Sequence, residues 1–350
     1  MKTCLYDHHI KLKAKLANFE GFEMPISYDG AIKEHGYVRE NAGIFDISHM
    51  ARIDIEGNQS EDFLNFIGVN NTSKLIDFQA QYNIFCDENG MTVDDVLIYR
   101  KSKNSFFAVV NASNRQKDLN HLRRYSKKFD VTITPYFEGY GILAVQGPLS
   151  KKLLLSDYPE IDNLKYMHFF EKDVIVSQTG YTGELGYEIY GKNEDIVKIW
   201  ERLLSRSDQL HPIGLAARDI LRLEMGYALY GHELSDSISP IESIASWTVR
   251  ISKPAFLGKE ALLKIKEGSS KRNAFAIMLS ENAIARANTS VYLNEKKIGF
   301  VTSGIYSPSL KRSIALVLVD ELLNESDKVQ VLLRNRMIEA DVVKLPFLKK

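Results

Sequence analysis

The sequence predicts an α+β fold that ends in a small antiparallel β-barrel, and two patterns carry this prediction. Residues 51–134 read as a strand, a helix, three strands in hairpin order, a helix and a strand, an order that resembles a ferredoxin-like unit. After residue 271 the pattern changes to short alternating strands separated by Gly and Asn turns. Such strands indicate a small barrel or sandwich.

The elements of the ferredoxin-like unit follow from local signals. Residues 51–57 alternate strictly between apolar and polar side chains, which predicts a half-buried strand. Residues 60–67 open with a serine that can cap a helix and with an acidic first turn. Asp87-Glu88-Asn89-Gly90 predicts a hairpin turn between strands at 81–86 and 92–100. The unit is completed by a strand at 105–110, a helix at 114–128 and a strand at 131–134.

Other elements flank this unit on both sides. Residues 30–41 read as a helix, whereas Gly21 and Pro25 predict an irregular stretch at 19–25. A second α+β block is expected to hold strands at 141–145, 169–177 and 186–190 and helices at 149–156, 196–204 and 215–229. Residues 267–271 form a natural linker to the predicted barrel strands. These strands lie at 274–279, 290–293, 297–303, 313–319, 328–333 and 337–342.

The charge balance favours small-molecule chemistry. The chain has 350 residues, with 45 Lys and Arg against 45 Asp and Glu, and a formal net charge of zero. Bulk nucleic-acid binding needs a basic excess that neutralises phosphates, so no nucleic-acid partner is expected. The length exceeds what one hydrophobic core usually holds, which favours two or three domains.

Residue usage predicts a soluble, cytoplasmic protein without a metal centre or a membrane partner. Cys4 and Cys86 are too few for a disulfide framework and lack the CxxC spacing of zinc or redox sites. No secretory segment is visible near the N-terminus. The longest apolar run, 314–319, is far shorter than the ~20 residues of a membrane-spanning helix. The histidines lie at spacings that do not suit metal ligands, and no HExxH, GxSxG or Walker A motif occurs.

Two adjacent acids, Asp94 and Asp95, interrupt an otherwise apolar strand at 93–99. Side chains alternate along a strand, so Asp95 shares a face with Leu97 and Tyr99, while Asp94 points to the other face. A carboxylate on an apolar, aromatic face costs free energy unless it is paired or neutralised, and such groups are candidates for function. The alternative is that both acids lie near a hairpin end in partial contact with solvent, or that one pairs with an arginine.

The segment 180–190 contains three glycines and three tyrosines. The glycines permit tight backbone turns, and the tyrosine rings offer flat apolar faces that suit a planar ligand. Within this segment Glu188 is an acid inside a strand, like Asp95. Its carboxylate is well shaped to accept two parallel N–H bonds from a pterin or a similar heterocycle. The alternative is a glycine-containing hairpin with surface tyrosines.

The predicted helix at 215–229 carries Arg218 and Arg222 one turn apart on the same face. Paired arginines on an apolar helix can bind a carboxylate ligand in a forked contact. The alternative is that these arginines form structural ion pairs with Asp219 or Glu224.

Several motifs occur in order along nearly the whole chain: GFEMP at 21–25, GIFDISHM at 43–50, VDDVLIY at 93–99, VVNA at 109–112, QGP at 146–148, GYTGELGYE at 180–188, GLAARDILRLE at 214–224, FLGKEAL at 256–262 and TSG at 302–304. Together they resemble one family, the aminomethyltransferase (T-protein) of the glycine cleavage system. Because the agreement spans the chain, this resemblance is far more specific than any single motif.

The resemblance implies a tetrahydrofolate-dependent enzyme of glycine catabolism. An aminomethyl carbon would pass from the lipoyl arm of H-protein to tetrahydrofolate, with release of ammonia and formation of 5,10-methylenetetrahydrofolate. By position, Asp95 looks like the family's catalytic aspartate, and Glu188 and Arg218 look like its folate-binding pair. The other residues that match the family's folate pocket are Met50, Tyr82, Tyr99, Asn111 and Tyr181.

The resemblance also implies a three-lobed ring with folate in its central channel. Residues 1–270 would form two folate-binding α+β lobes, one of them (roughly 51–137) inserted in the other, and residues 271–350 would form the barrel. The chemistry agrees with the residues, because a fixed carboxylate beside the transferred carbon can stabilise positive charge and relay a proton as ammonia leaves.

Two rival functions stay open at this point. A folate-dependent demethylase would use the same acid on small N- or O-methyl substrates, without a lipoyl partner. A folate-binding repair or tRNA-modification factor of the same superfamily would be a binding module, although the Lys-Gly-Cys-Tyr-type motif of that branch does not occur here. Ammonia release from aminomethyl-loaded H-protein separates these functions.

Overall fold

The computed structural model describes residues 1–325 and 327–349. Ser326 and Lys350, both within the predicted barrel domain, lie outside the described residues. The chain folds into two units, each assembled from several segments. The first unit consists of Met1–Asn65, Thr72–Tyr82 and Val96–Asp219, and the second consists of Phe66–Asn71, Asn83–Asp95 and Ile220–Lys350.

Helices and strands alternate over most of the chain and give way to strands alone at its end. The helices are α1 Tyr6–Lys11, α2 Ala31–Glu40, α3 Ser60–Ile67, α4 Arg115–Ser126, α5 Ser150–Leu154, α6 Asn193–Arg206, α7 Leu215–Glu224 and α8 Lys259–Lys264. The strands are β1 Lys15–Phe19, β2 Phe22–Ser27, β3 Ala42–Asp46, β4 Ala51–Glu56, β5 Gln79–Cys86, β6 Thr92–Ser102, β7 Ser105–Val110, β8 Thr132–Tyr136, β9 Tyr140–Gln146, β10 Phe169–Glu171, β11 Ile175–Ser177, β12 Gly186–Lys192, β13 Leu210–Pro212, β14 Asn273–Leu279, β15 Ser290–Leu293, β16 Lys296–Ser307, β17 Arg312–Val319, β18 Lys328–Leu333 and β19 Arg336–Val343.

A six-stranded sheet in the order β10-β11-β12-β9-β3-β13 forms the centre of the first unit. Tyr187 and Ile189 of β12 pack into one hydrophobic core with Trp200 of α6. Because side chains alternate along a strand, Glu188 and Tyr190 lie on the opposite face of β12. The sheet thus separates the core beneath α6 from the face that carries the candidate acid.

A five-stranded sheet in the order β5-β6-β7-β4-β8 contains the strands of the predicted ferredoxin-like series. The predicted hairpin between β5 and β6 is present. Asp87 Oδ1 accepts the backbone N–H groups of Asn89 (2.9 Å) and Met91 (2.8 Å), and Gly90 takes a left-handed φ of 76°. A side-chain acceptor and a glycine at the left-handed position are what a tight turn requires.

The chain ends in a closed antiparallel barrel in the order β14-β17-β16-β15-β18-β19. The barrel closes because β14 pairs with β17 on one side and with β19 on the other. Alternate residues of each strand fill the interior, including Ile277, Val317 and Val331. The strand pattern left a barrel and a sandwich open, and the closed pairing shows that the domain is a barrel. The predicted α+β fold class with a C-terminal barrel is confirmed.

Three local predictions are wrong. The single strand predicted at 169–177 is a hairpin of β10 and β11. The stretch at 19–25 belongs to a hairpin of β1 and β2, whose turn residues Glu20 and Gly21 both have positive φ, 51° and 83°, as a tight hairpin turn requires. Pro25 is tolerated because this sheet has only two strands, so a missing donor can face the open edge. The helix predicted at 215–229 ends at Glu224, since Gly226 takes a left-handed φ of 70° and terminates it.

None of the described helices is long and apolar enough to cross a bilayer. The predicted division of the chain at residue 270, with a lobe of roughly 51–137 inserted in the first part, stays a prediction.

The second unit holds a lysine ammonium among backbone carbonyls. Lys253 is 5% exposed, and its Nζ donates to the carbonyl oxygens of Gly68 at 2.6 Å and Asn70 at 2.9 Å. These bonds fasten the segment Phe66–Asn71 to the later part of the same unit. Burial lowers the pKa of Lys253 to about 7, because a charged ammonium loses its hydration there.

We expect Lys253 to make the stability of the protein rise with pH between about 7 and about 10. The unfolded chain holds the lysine proton up to about pH 10.4, whereas the folded chain releases it above about 7. The unfolded state binds more protons in this window, so the free energy of unfolding increases with pH. Thermal midpoints at about pH 6.5 and about pH 9 should show that Lys253→Met removes this increase.

The matched control is Lys259→Met. Lys259 also donates to backbone carbonyls, those of Lys253 and Pro254, so its removal tests for a general effect of losing a lysine. This variant should keep the pH dependence of the unmodified protein. Equal pH dependence in Lys253→Met and the unmodified protein would show that the buried ammonium keeps its ordinary pKa.

Candidate functional site

A buried carboxylate on β12 is the centre of the candidate site. Glu188 is 6% exposed. Its Oε2 accepts hydrogen bonds from the hydroxyls of Thr179 at 2.5 Å and Tyr190 at 2.7 Å, and from Tyr99 at 3.5 Å. In the part of the chain that the structure describes, every hydrogen bond to this carboxylate ends on Oε2. The Oε1 atom accepts none of these hydrogen bonds, which makes it the candidate acceptor for a ligand.

The Tyr99 hydroxyl that faces Glu188 is held by an aromatic cluster. The Tyr99 ring stacks on Phe107 with centroids 4.4 Å apart and meets Phe169 edge-on at 5.4 Å. Its hydroxyl lies 2.7 Å from that of Tyr190. Burial, together with the charge of Glu188, raises the pKa of both tyrosines, so both stay protonated donors at neutral pH. Tyr99 is fully buried, which indicates that it contacts the Glu188 carboxylate from the interior of the protein.

The GYTG segment rests on the side chain of Gln146. Gln146 Nε2 donates to the carbonyl of Thr179 at 3.1 Å, and its Oε1 accepts from the Thr182 hydroxyl at 2.9 Å. A Cβ at Gly180 would lie 2.0 Å from Gln146 Oε1, and one at Gly186 would lie 2.3 Å from its Cδ. Only glycine allows this approach, so the glycines fix the backbone that carries Thr179.

Arg218 and Tyr181 form a second pair within the first unit. The Arg218 guanidinium lies 4.6 Å from the centre of the Tyr181 ring, a cation–π distance, and both side chains are half-buried. Glu34 anchors the residue that precedes α7, because its Oε2 accepts the N–H of Gly214 at 2.7 Å. The arrangement holds a positive charge on an aromatic face at the start of the helix.

Arg222 differs from Arg218 although the sequence places both on one helical face. Its Nη1 donates to Glu233 Oε2 at 2.9 Å, and its Nη2 donates to the Ser303 hydroxyl at 2.8 Å. Both charged partners are buried. The structural ion pair that the sequence left open is therefore present at Arg222, and Glu233 is a partner that the sequence did not suggest.

Met50 and Asn111 lie on loops of the first unit and are half-buried. Met50 follows β3 and is preceded by His49, whose imidazole is 4% exposed. Burial, together with the positive charges of Arg218 and Arg115, lowers the pKa of His49 to about 3 against the opposing charge of Asp46. The imidazole is therefore neutral at physiological pH, which excludes it as a charged anion ligand.

The two acids of β6 differ in burial. Asp94 is fully buried, whereas Asp95 and Leu97 are half-buried, as alternation along a strand predicts. Asp95 belongs to the second unit, and the half-buried Tyr82 on β5 belongs to the first. The structure places Glu188 next to Tyr99 and Arg218 next to Tyr181, and all four residues belong to the first unit.

Sequence reasoning missed three residues that build the Glu188 site: Thr179, Tyr190 and Gln146. A signal for Tyr190 was available, because a residue two positions after Glu188 on one strand shares its face. No local signal points to Gln146, whose contacts with Thr179 and Thr182 span more than thirty positions along the chain.

Comparisons with known proteins agree with this fold. The chain matches the GCVT N-terminal domain over residues 5–253 and the glycine cleavage T-protein C-terminal barrel domain over residues 272–349. An aminomethyltransferase of Pseudothermotoga lettingae is 39% identical over 99% of this chain and 97% of its own length. One from Listeria monocytogenes serotype 4b is 41% identical over 100% of this chain and 98% of its own length. The crystal structure of glycine cleavage system aminomethyltransferase T from Bartonella henselae has a TM-score of 0.95 at 31% identity, covering 99% of this chain and 98% of that one.

This α+β fold, with family matches over nearly the whole chain, defines a one-carbon group transferase. The chain belongs to the glycine cleavage T-protein family, the aminomethyltransferases. This membership confirms the predicted family, the enzyme class and tetrahydrofolate as the co-substrate. The roles of the individual site residues stay predictions.

Proposed function

We propose that this protein is the tetrahydrofolate-dependent aminomethyltransferase of a cytoplasmic glycine cleavage system, with lipoylated H-protein as its partner. It releases ammonia from the aminomethyl-dihydrolipoyl arm, transfers the carbon to tetrahydrofolate to form 5,10-methylenetetrahydrofolate, and leaves dihydrolipoyl H-protein. The observation that carries this proposal is Glu188, whose Oε2 is filled by hydroxyl donors of the protein while its Oε1 is left for a ligand.

The residues of the Glu188 site fit a reduced pterin. The N–H edge of a pterin needs an acceptor with fixed geometry, and an ionised carboxylate is a stronger acceptor than a neutral amide. Thr179 and Tyr190 hold the carboxylate from one side, so the open oxygen has a defined direction. Arg218, placed on the Tyr181 ring, supplies a positive charge for a carboxyl-type group of the same co-substrate.

Tetrahydrofolate supplies the nucleophilic nitrogen, and the protein supplies charge and position. The Asp95 carboxylate stabilises the positive charge that develops on the transferred carbon and relays a proton as ammonia leaves. Met50, Tyr82 and Asn111 complete the walls of the folate pocket. Holding two large substrates in register provides a further part of the rate gain.

The test is a reconstituted assay with purified protein, tetrahydrofolate and aminomethyl-loaded H-protein. Ammonia and 5,10-methylenetetrahydrofolate should appear together and only when both substrates are present. H-protein that lacks the lipoyl group is the matched control and should give neither product. Turnover of small N-methyl substrates without H-protein would instead indicate a demethylase, and folate binding without turnover would indicate a binding module.

A further inference from the structure

The guanidinium group of Arg115 donates hydrogen bonds to the backbone carbonyls of a loop. Its Nη2 donates to the carbonyl oxygens of His49 at 2.7 Å, Met50 at 3.1 Å and Ser48 at 3.5 Å. Its Nη1 donates to the carbonyl of Phe137 at 3.4 Å. One side chain thus joins the loop after β3, the start of α4 and the segment between β8 and β9.

The guanidinium is seated between aromatic rings and carbonyl dipoles. It lies 4.5 Å from the centre of the Phe22 ring and 5.7 Å from that of Phe137. Among the described residues no carboxylate is hydrogen-bonded to it, and burial lowers its pKa to about 10 against the opposing charge of Glu138. The half-buried Arg115 cation is stabilised by the carbonyl oxygens of the loop after β3. The position of this loop and the position of the guanidinium therefore depend on each other.

The loop that Arg115 contacts carries one residue of the proposed folate pocket. This residue is Met50, whose N–H closes the turn on the carbonyl of Ile47 at 3.0 Å. The neighbouring His49 ring packs edge-on against Phe19 at 5.4 Å. Arg115 itself follows the turn in which Asn114 N–H donates to the carbonyl of Asn111 at 3.1 Å.

We propose that Arg115 is a positioning residue for tetrahydrofolate: it sets the loop of Met50 against the segment of Asn111 before the co-substrate binds. The proposal rests on the proposed function, because it takes Met50 and Asn111 as walls of the folate pocket. The planar guanidinium offers five donors in a fixed fork and can span several carbonyls at once. A lysine ammonium at this position reaches fewer of them.

The test compares Arg115→Gln, Arg115→Lys and the unmodified protein in the reconstituted assay. Arg115→Gln should raise KM for tetrahydrofolate about ten-fold, with kcat and KM for H-protein changed less than about three-fold. Arg115→Lys should recover part of the lost KM. Arg123→Gln is the matched control, since Arg123 is exposed on the same helix α4, and it should behave like the unmodified protein.

The outcomes separate this inference from the proposed function. An unmodified protein without folate-dependent ammonia release contradicts the proposed function, whatever Arg115 does. An active protein in which Arg115→Gln keeps its KM for tetrahydrofolate overturns the role of Arg115. If Arg115→Gln does not fold, the Arg115→Lys variant decides. A lower thermal midpoint with an unchanged KM for tetrahydrofolate shows a purely structural role. A higher KM for tetrahydrofolate with an unchanged kcat supports positioning.

Discussion

Replacing Asp95 with Asn should lower kcat by about 10²- to 10⁴-fold while tetrahydrofolate affinity changes only a few-fold. Asparagine keeps the shape of the side chain but carries no charge, so it neither stabilises positive charge on the transferred carbon nor accepts a proton. Asp95 is half-buried on β6, and the substitution removes one charge without opening a large cavity. The measurement is ammonia release under saturating substrates, with folate affinity from a separate binding titration.

The adjacent acid provides the control. Asp94→Asn makes the same chemical change one residue away, but Asp94 is fully buried on the opposite face of the strand. This variant should mainly lower the thermal midpoint and leave kcat closer to that of the unmodified protein. Near-normal kcat in Asp95→Asn would remove Asp95 from the mechanism.

Replacing Glu188 with Gln should weaken tetrahydrofolate binding by about 10- to 100-fold, which corresponds to the loss of a charge-assisted hydrogen bond. The reason lies in the surroundings of Oε2. The hydroxyls of Thr179 and Tyr190 donate to that atom, so they retain the carbonyl oxygen of a glutamine. Its NH₂ group then takes the place of Oε1 and presents donors to the N–H edge of the pterin.

Binding titration of Glu188→Gln tests this expectation directly. Glu171→Gln is the control, because Glu171 lies on β10 of the same sheet, is exposed and pairs with Lys101. It should bind tetrahydrofolate like the unmodified protein. An unchanged affinity in Glu188→Gln would show that the pterin does not meet this carboxylate.

The sequence indicated which acids were unusual but not what surrounds them. An acid within an apolar strand is visible from local pattern, so Glu188 and Asp94-Asp95 stood out. The donor Tyr99 is 89 positions away from Glu188 along the chain, and such a contact exists only after β6 and β12 are placed by the fold. For the same reason the pattern could not tell the buried Arg222 from the half-buried Arg218.

Glycine and proline residues, read as breaks in regular structure, were the other source of wrong predictions. Gly21 and Pro25 predict an irregular stretch, although Gly21 supplies the turn and Pro25 lies in a two-stranded hairpin. The strands of the C-terminal domain were visible from their alternation, whereas closure depends on the pairing of β14 with β19, which lie at opposite ends of that domain. Periodicity predicts a strand but not its partner.

In the proposed role of Glu188 as the acceptor of the pterin N–H edge, the hydroxyls that hold its carboxylate have a consequence for ligand selectivity. The carboxylate is immobilised when the protein folds, so association does not have to restrict its rotamers, and less entropy is lost on binding. The same rigidity prevents the acid from turning toward an alternative partner. A heterocycle that lacks paired N–H groups would leave a desolvated anion uncompensated, and sites of this kind discriminate strongly against such analogues.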